Sequence, residues 1–194
     1  MTGVDQWWNE ASRGNYGTFV GCTNLSTVII DDGVRTIPGW AFKGCTSLSS
    51  VAIPDSVNSI GYEAFLGCTS LTSVYFEGNA PEGCEAFREC PPTIYYLPGT
   101  VGWGATFSGR PTAYWVLPNP VILDFGNHFG VQANGFGFRI SWATNANVVV
   151  EASADLAKQA WSPVSTNTLT DGWVDFTDPE WAQHPARYYR VRSE

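Results

Sequence analysis

Carboxylates are the residues of this chain best placed by type and spacing to do chemistry. Asp31 and Asp32, Asp55, Glu77, Glu82, Glu85 and Glu89 all fall in the first half. Asp31 and Glu77 end strand-like runs that lie two repeats apart, with Pro54 at the equivalent place between them. Neighbouring strands lie about 4.8 Å apart, so this pair is predicted about 9.6 Å apart. That is close to the ~6.5–9.5 Å separation of an inverting glycosidase pair. An open sheet does not exclude water or raise the pKa of an acid, so ordinary surface charge is the competing reading. Asp171, Asp175 and Asp178 form a second acidic group. Hard cations need clustered oxygens, which makes these three weak candidates for a metal. Their spacing matches no EF-hand loop, however, and Asp171-Gly172 and Asp178-Pro179 are good turn dipeptides. Nucleophilic catalysis has less support. There is no Gly-x-Ser-x-Gly elbow, and the only two histidines, His128 and His184, sit in loop-like stretches. No catalytic residue, cofactor or metal set is assigned.

Thiols are the third chemical group. Cys22, Cys45 and Cys68 are 23 residues apart, and Cys90 follows after 22. One thiol per coil at a single phase makes an inward ladder. Its Cβ vectors are nearly parallel, which suits a disulfide poorly. The ladder therefore reads as buried free thiols acting as small apolar residues. Cys84 lies off the ladder, six residues before Cys90, and a local pair there stays open. With no Cys-x-x-Cys and both histidines distant, a zinc site is not indicated.

The elements that must position these groups come from one repeat. Gly21-Cys22-Thr23-Asn24-Leu25 returns as Gly44-Cys45-Thr46-Ser47-Leu48 and Gly67-Cys68-Thr69-Ser70-Leu71. Phe19, Phe42, Phe65 and Phe87 keep the same phase. A fixed period in this range means a solenoid, which presents surface rather than a deep pocket. One short strand per coil is predicted at Thr27–Ile30, Ser50–Ile53 and Ser73–Phe76, with a weaker one at Thr93–Leu97. Period two turns Val28 and Ile30, Val51 and Ile53, and Val74 and Phe76 inward. The outward row is then Ile29, Ala52, Tyr75, Tyr95 and Leu97, flanked by Asp31 and Glu77. The return arc holds Val34 and Ile37, then Val57 and Ile60, and its Ala41-Phe42 and Ala64-Phe65 pairs are predicted to close a helical turn. In the third unit, Glu82 stands where Ile60 stood.

The phrase Gly-Cys-Thr-Ser-Leu-x-Ser-Val-x-Ile-Pro-Asp-Ser-Val-x-Ser-Ile-Gly-x-x-Ala-Phe over residues 44–65 resembles the BspA-like class of leucine-rich repeats. The likeness covers roughly residues 19–98 and fades at Pro91-Pro92. It implies a bacterial surface or secreted protein with an adhesive role. Phe19-Val20-Gly21-Cys22 already fits the end of a repeat, so residues 1–18 read as a cap or a truncated unit. Residues 99–119, rich in Gly, Pro and aromatics, read as a terminator covering the open apolar end, which a solenoid needs for solubility.

From Val121 the grammar changes. Strand-like runs at Val121–Phe125, Phe136–Trp142, Val148–Ala152, Trp161–Val164, Gly172–Thr177 and Tyr188–Arg192 alternate with turn signals. They predict a small antiparallel β-sandwich over 120–194. Its later part, about 136–194, resembles C-terminal modules of large secreted bacterial proteins, especially from the Verrucomicrobia group. The fold class is therefore mainly β: a short leucine-rich-repeat solenoid followed by a sandwich.

Composition narrows the partners. A net charge of −8 over 194 residues, with no basic patch, argues against nucleic acid and anionic membranes. No apolar run reaches the ~18 residues of a membrane span, and Met1–Glu10 carries no signal pattern. The function expected is non-catalytic binding of an extracellular protein or glycan through the strand face, with Ile29, Tyr75, Glu77 and Tyr95 as contacts. Trp7, Trp8, Trp40 and Trp103 are further candidates for stacking on sugar rings, while Trp142, Trp161 and Trp173 are expected to pack the sandwich. The alternatives are a hydrolase on polysaccharide or ester substrates, and a structural spacer or sorting tail of a longer array. The extracellular or cell-surface address rests on the resemblance.

Overall fold

The computed structural model describes residues 17–83, 85–158 and 160–194. Trp7, Trp8, Cys84 and nearly all of the expected N-terminal cap lie outside the described residues. The chain divides into two compact units. The first takes the residues up to Tyr96 together with Thr100–Trp115, and the second takes Leu97–Gly99 and Val116–Glu194.

The first unit is a β-solenoid of about four turns over residues 36–114, and no α-helix occurs among the described residues. Its strands are β1 (Thr36–Ile37), β2 (Ser50–Ile53), β3 (Ser59–Ile60), β4 (Ser73–Phe76), β5 (Thr93–Tyr96), β6 (Thr106–Phe107) and β7 (Arg110–Tyr114). The main sheet runs β2-β4-β5-β7-β6. It is parallel from β2 to β7 and closed by the antiparallel β6–β7 pair. The expected alternation holds: Val51, Ile53, Val74 and Phe76 are buried, Ala52 is exposed and Tyr75 is half-buried. A second, two-stranded sheet pairs β1 with β3 on the return arc, which the sequence pattern did not suggest.

Three expectations for this unit are corrected. Thr27–Ile30 forms no ladder strand. The first coil is tied to the second through its turns instead, with the Phe19 and Gly21 N–H groups donating to the Ala41 and Lys43 carbonyls. Val28 and Ile30 still pack on the core. The Ala-Phe segments are linked turns rather than helical ones, because Trp40, Glu63 and Glu85 take left-handed backbone (φ 58°, 55° and 52°) just before them. Finally, Ser59 rather than Ile60 is the partner of Glu82, so the shortening of the third coil falls after Glu82.

The interior is a stack of like on like. Phe19, Phe42, Phe65 and Phe87 lie with ring centroids 5.4, 5.1 and 5.3 Å apart in near-parallel planes. Beside them the thiols of Cys45 and Cys68 donate to the Phe19 and Phe42 carbonyls at 3.2 and 3.0 Å. Cys90 is a free thiol and reaches the Phe87 carbonyl at 3.1 Å. Burial pushes the Cys68 thiol up to about 12, with the neighbouring Cys45 adding to it, and burial pushes Cys90 to about 11. Cys22 breaks the expected ladder of buried thiols, since it is exposed. Coils approach so closely at Gly61 that a Cβ there would lie 2.2 Å from the Gly39 nitrogen. In the segment read as a terminator, strands carry the solenoid on to residue 114: Trp103 and Phe107 pack on Phe76 at 4.9 and 5.6 Å, and β7 extends the sheet.

In the second unit the strands are β8 (Val121–Leu123), β9 (Gly130–Gln132), β10 (Gly135–Ser141), β11 (Ala146–Ser153), β12 (Ser162–Leu169), β13 (Trp173–Asp178) and β14 (Tyr188–Ser193). They form two antiparallel sheets, β13-β10-β8 with β9 on β10, and β12-β11-β14. Phe138, Ile140 and Phe176 of the first sheet share a core with Val148, Val150 and Leu169 of the second. Strand β12 runs past the expected Val164 to Leu169. Its polar Ser165-Thr166-Asn167-Thr168 carries no apolar signal, but the stretch pairs with β11 across a bulge after Val150.

Two outcomes follow for the solenoid core. Phe65→Ala is expected to cost about 3–5 kcal/mol, seen as a lower unfolding midpoint for the solenoid with the second unit's transition unmoved. Peptide mapping after brief alkylation of native protein should find Cys22 labelled and Cys45, Cys68 and Cys90 protected until denaturant is added.

Candidate functional site

The outward row of the solenoid sheet is set by register. Ala52 lies opposite Tyr75, Tyr75 opposite Tyr95, and Tyr95 opposite Ala113. Parallel pairing in register puts like phases side by side, so the two tyrosines stack with centroids 5.1 Å apart and planes 17° from parallel. Trp115 meets Tyr75 at 5.0 Å, tilted by 49°. Aromatic pairs of this kind add about 0.5–1.5 kcal/mol beyond area burial, which favours a rigid cluster over three loose side chains. A second outward row, Ser50, Ser73 and Thr93, runs parallel to it in the same register.

Of the four expected contacts, Tyr75 and Tyr95 come together and are half-buried. Ile29 is 84% exposed, one period before Ala52, on a segment outside any strand. Glu77 follows β4 and its N–H donates to the Ile53 carbonyl at 3.0 Å. Burial raises its pKa, and the charges of Asp32 and Asp55 add to the rise. Leu97 was expected on the outward row but is 5% exposed, since β5 ends at Tyr96 and the alternation stops there. Trp115 was read only as part of the terminator. Its signal was its place two residues beyond Ala113, the outward residue of the added strand, and that strand was hidden by the loss of the repeat.

The other candidate residues are engaged elsewhere. Trp40 donates its indole N–H to Glu63 at 3.1 Å, and Arg88 pairs with the other oxygen of that carboxylate at 2.8 Å. Trp103 packs in the solenoid cap, stacked on Tyr96 at 4.9 Å. Asp31 is exposed and outside any strand, so the expected pairing of Asp31 with Glu77 on two strand ends does not form.

In the second unit, acids and arginines pair. Asp175 takes both Nε and Nη2 of the buried Arg139, at 2.7 and 2.8 Å. Arg139 also donates to the Gly99 carbonyl at 2.7 Å and lies 3.9 Å above the Trp173 ring. His128, in its loop, stands 3.4 Å from Asp175. These arginine bonds hold the Asp175 carboxyl below its usual range. For Asp178, burial pushes the pKa up, but the Tyr189 hydroxyl, the Glu180 N–H and Arg187 outweigh it and the net shift is downward. Glu151 is gripped by Arg192 and Arg190 at 3.0 and 2.7 Å and is lowered likewise. The weak metal candidates Asp175 and Asp178 thus face guanidinium groups. Among the described residues no group of three His, Cys, Asp or Glu is placed to hold a metal ion. Trp142 packs on the core as expected, whereas Trp173 and Trp161 carry the guanidinium groups of Arg139 and Arg190.

The first unit is therefore a repeat solenoid whose main sheet carries an aromatic cluster on its outward row. Residues 13–101, just under half of the chain, are similar to the BspA type leucine rich repeat region, matched in six copies. No curated protein and no solved structure matches the chain. No described helix is long and apolar enough to cross a membrane.

The pKa shifts give stability predictions of opposite sign. Asp175 is lowered on folding, so its contribution is present above its unfolded value of about 3.9 and is lost as pH falls through the folded one. Asp175→Asn should lower the second unit's thermal midpoint at neutral pH, and the difference should shrink below about pH 4. Glu77 is raised on folding, so its contribution is present below an unfolded value of about 4.3 and is lost as pH rises through the folded one. Glu77→Gln should raise the solenoid's midpoint at neutral pH and change little in acid. Thermal scans across pH read both.

Proposed function

We propose that this chain is a non-catalytic binding protein of the extracellular or cell-surface kind, which takes a protein or glycan ligand on the solenoid's strand face. The observation that carries the reading is the Tyr75–Tyr95 stack with Trp115 beside it, half-exposed at the centre of a rigid sheet. Aromatic side chains give large contact area at low entropic cost, and they are enriched where proteins bind. The pre-formed stack removes part of the ordering cost that binding otherwise carries. The similarity to BspA type repeats supports a surface or binding role in general. In this reading the second unit is a carrier domain, in keeping with its resemblance to C-terminal modules of secreted bacterial proteins.

Hydrolysis has less support. The acid that could pair with Glu77 two coils away, Asp31, lies outside the sheet, and Glu151, Asp175 and Asp178 of the second unit are each held by arginines. The test is a binding screen of the purified chain against immobilised extracellular proteins and glycans, repeated with Tyr75→Ala/Tyr95→Ala. The double variant should keep its fold by circular dichroism and lose at least tenfold in affinity, about 1.4 kcal/mol, for whatever the wild type captures. Unchanged affinity would place the contact surface elsewhere.

A further inference from the structure

Charge is unevenly distributed around the solenoid coil. On the main sheet the outward residues form two rows in register: Ser50, Ser73 and Thr93, then Ala52, Tyr75, Tyr95 and Ala113. None of these is charged. The chain leaves β4 at Glu77, two residues beyond Tyr75, and the bend there carries acids in successive coils. Asp32 and Asp55 hold the same phase, one period apart. Coils approach closely at this bend, since a Cβ on Gly78 would lie 2.6 Å from the Asp55 Cα. Glu77 is half-buried and its pKa is raised, first by burial and then by the charges of Asp32 and Asp55.

The described cations of the solenoid lie elsewhere. Arg35 precedes β1 on the return arc, and Lys43 and Arg88 sit in the turns just after Phe42 and Phe87. Arg88 is held by Glu63. Arg110, at the start of β7, donates from its guanidinium to the Phe87 carbonyl. The charged side chains bordering the tyrosine row are therefore acids.

Two properties of a partner follow. Tyrosine and tryptophan at the centre of a contact surface take apolar and arginine side chains, the groups that dominate binding energy at interfaces. A border of one sign attracts the opposite charge and repels its own. A second copy of this chain, with net charge −8, is a poor occupant for that reason, as is an anionic surface. Alternate residues of a parallel strand lie about 6.6 Å apart, so a segment resting on Tyr75 meets Glu77 one such step further along.

We propose that the strand face docks a basic segment of another protein, with its apolar side chains on Tyr75, Tyr95 and Trp115 and its arginine or lysine groups against Glu77, Asp55 and Asp32. This rests on the strand-face reading and narrows it to a partner of one charge.

Fluorescence anisotropy with the full chain tests it, using three labelled dodecapeptides in which leucine alternates with arginine, serine or glutamate. At low ionic strength the arginine probe should bind at least tenfold more tightly than the serine probe, and the glutamate probe should not bind. The preference should shrink as salt is added, because salt screens exposed charges. Asp32→Asn/Asp55→Asn/Glu77→Gln should weaken the arginine probe at least tenfold, and so should Tyr75→Ala/Tyr95→Ala. Glu82→Gln/Glu85→Gln/Glu89→Gln removes the same formal charge from exposed positions elsewhere on the third coil and should leave affinity within twofold. Circular dichroism and thermal midpoints establish that each variant is folded. Should the first triple variant unfold, Glu77→Gln alone carries the test, with about a threefold loss expected. If the arginine probe fails to bind, binds no better than the serine probe, or loses affinity equally in both triple variants, the basic-partner inference is overturned. A ligand from the binding screen that still depends on Tyr75 and Tyr95 would then leave the strand-face reading standing. Dependence on the acids without dependence on the tyrosines would overturn both.

Discussion

The solenoid depends on one constraint: each coil must lie a single backbone hydrogen bond away from the next. Buried N–H and C=O groups cannot go unpaired without large cost. In this unit they find partners one coil away, along the main sheet and at the turns. Once that spacing is imposed, side chains at a given phase have only their own counterparts as neighbours. The phenylalanine column, the thiols that donate to the carbonyls of the coil before, and the Tyr75–Tyr95 stack are all consequences of it. So is Gly61, where the neighbouring backbone leaves no room for a Cβ. The Ser56 hydroxyl shows the same rule in a polar setting, accepting from the Gly33 N–H at 3.1 Å and donating to the Val34 carbonyl at 2.9 Å.

The second unit answers a different problem. Its two sheets bury charged groups, and each is met by opposite charge and by hydrogen bonds. Arg139, buried in mid-strand, is held by the carboxylate of its cross-strand partner Asp175, by a carbonyl and by an indole face. Glu151 lies opposite Arg190 in the pairing of β11 with β14, and takes Arg192 from the same strand. Removing one partner from such a set leaves an uncompensated buried charge, so the loss exceeds what the pair itself adds to stability.

Much of the solenoid was legible because its signal is redundant. Val51, Ile53, Val74 and Phe76 carry both a period of two and a period of 23 residues, and both agree with their burial. Thr27–Ile30 carries both signals as well, yet its backbone is not paired along the sheet, and pairing is not written in side-chain pattern. Strand β7 lost the repeat motif altogether, so the sheet's extension and Trp115's place on it could be learned only from the fold. In the second unit, polar β12 and the arginine–carboxylate pairs escaped notice for a related reason. Asp175 and Asp178 look like cation ligands in a linear chain, because their true partners Arg139 and Arg187 are named by cross-strand register and by a turn. The tyrosine pair of the candidate site was visible in the sequence.

The third coil is one residue shorter than its predecessors, yet nothing in the column registers the loss. Ser59 still pairs with Glu82 at a separation of 23 residues, and Phe65 stacks on Phe87 at a separation of 22 with the rings 5.3 Å apart. One residue is lost between Glu82 and Phe87 and two more between Phe87 and β5, because Ser73 pairs with Thr93 at a separation of 20 where Ser50 pairs with Ser73 at 23. Coil length is therefore negotiable in the arcs, while the stacking distance between coils is not.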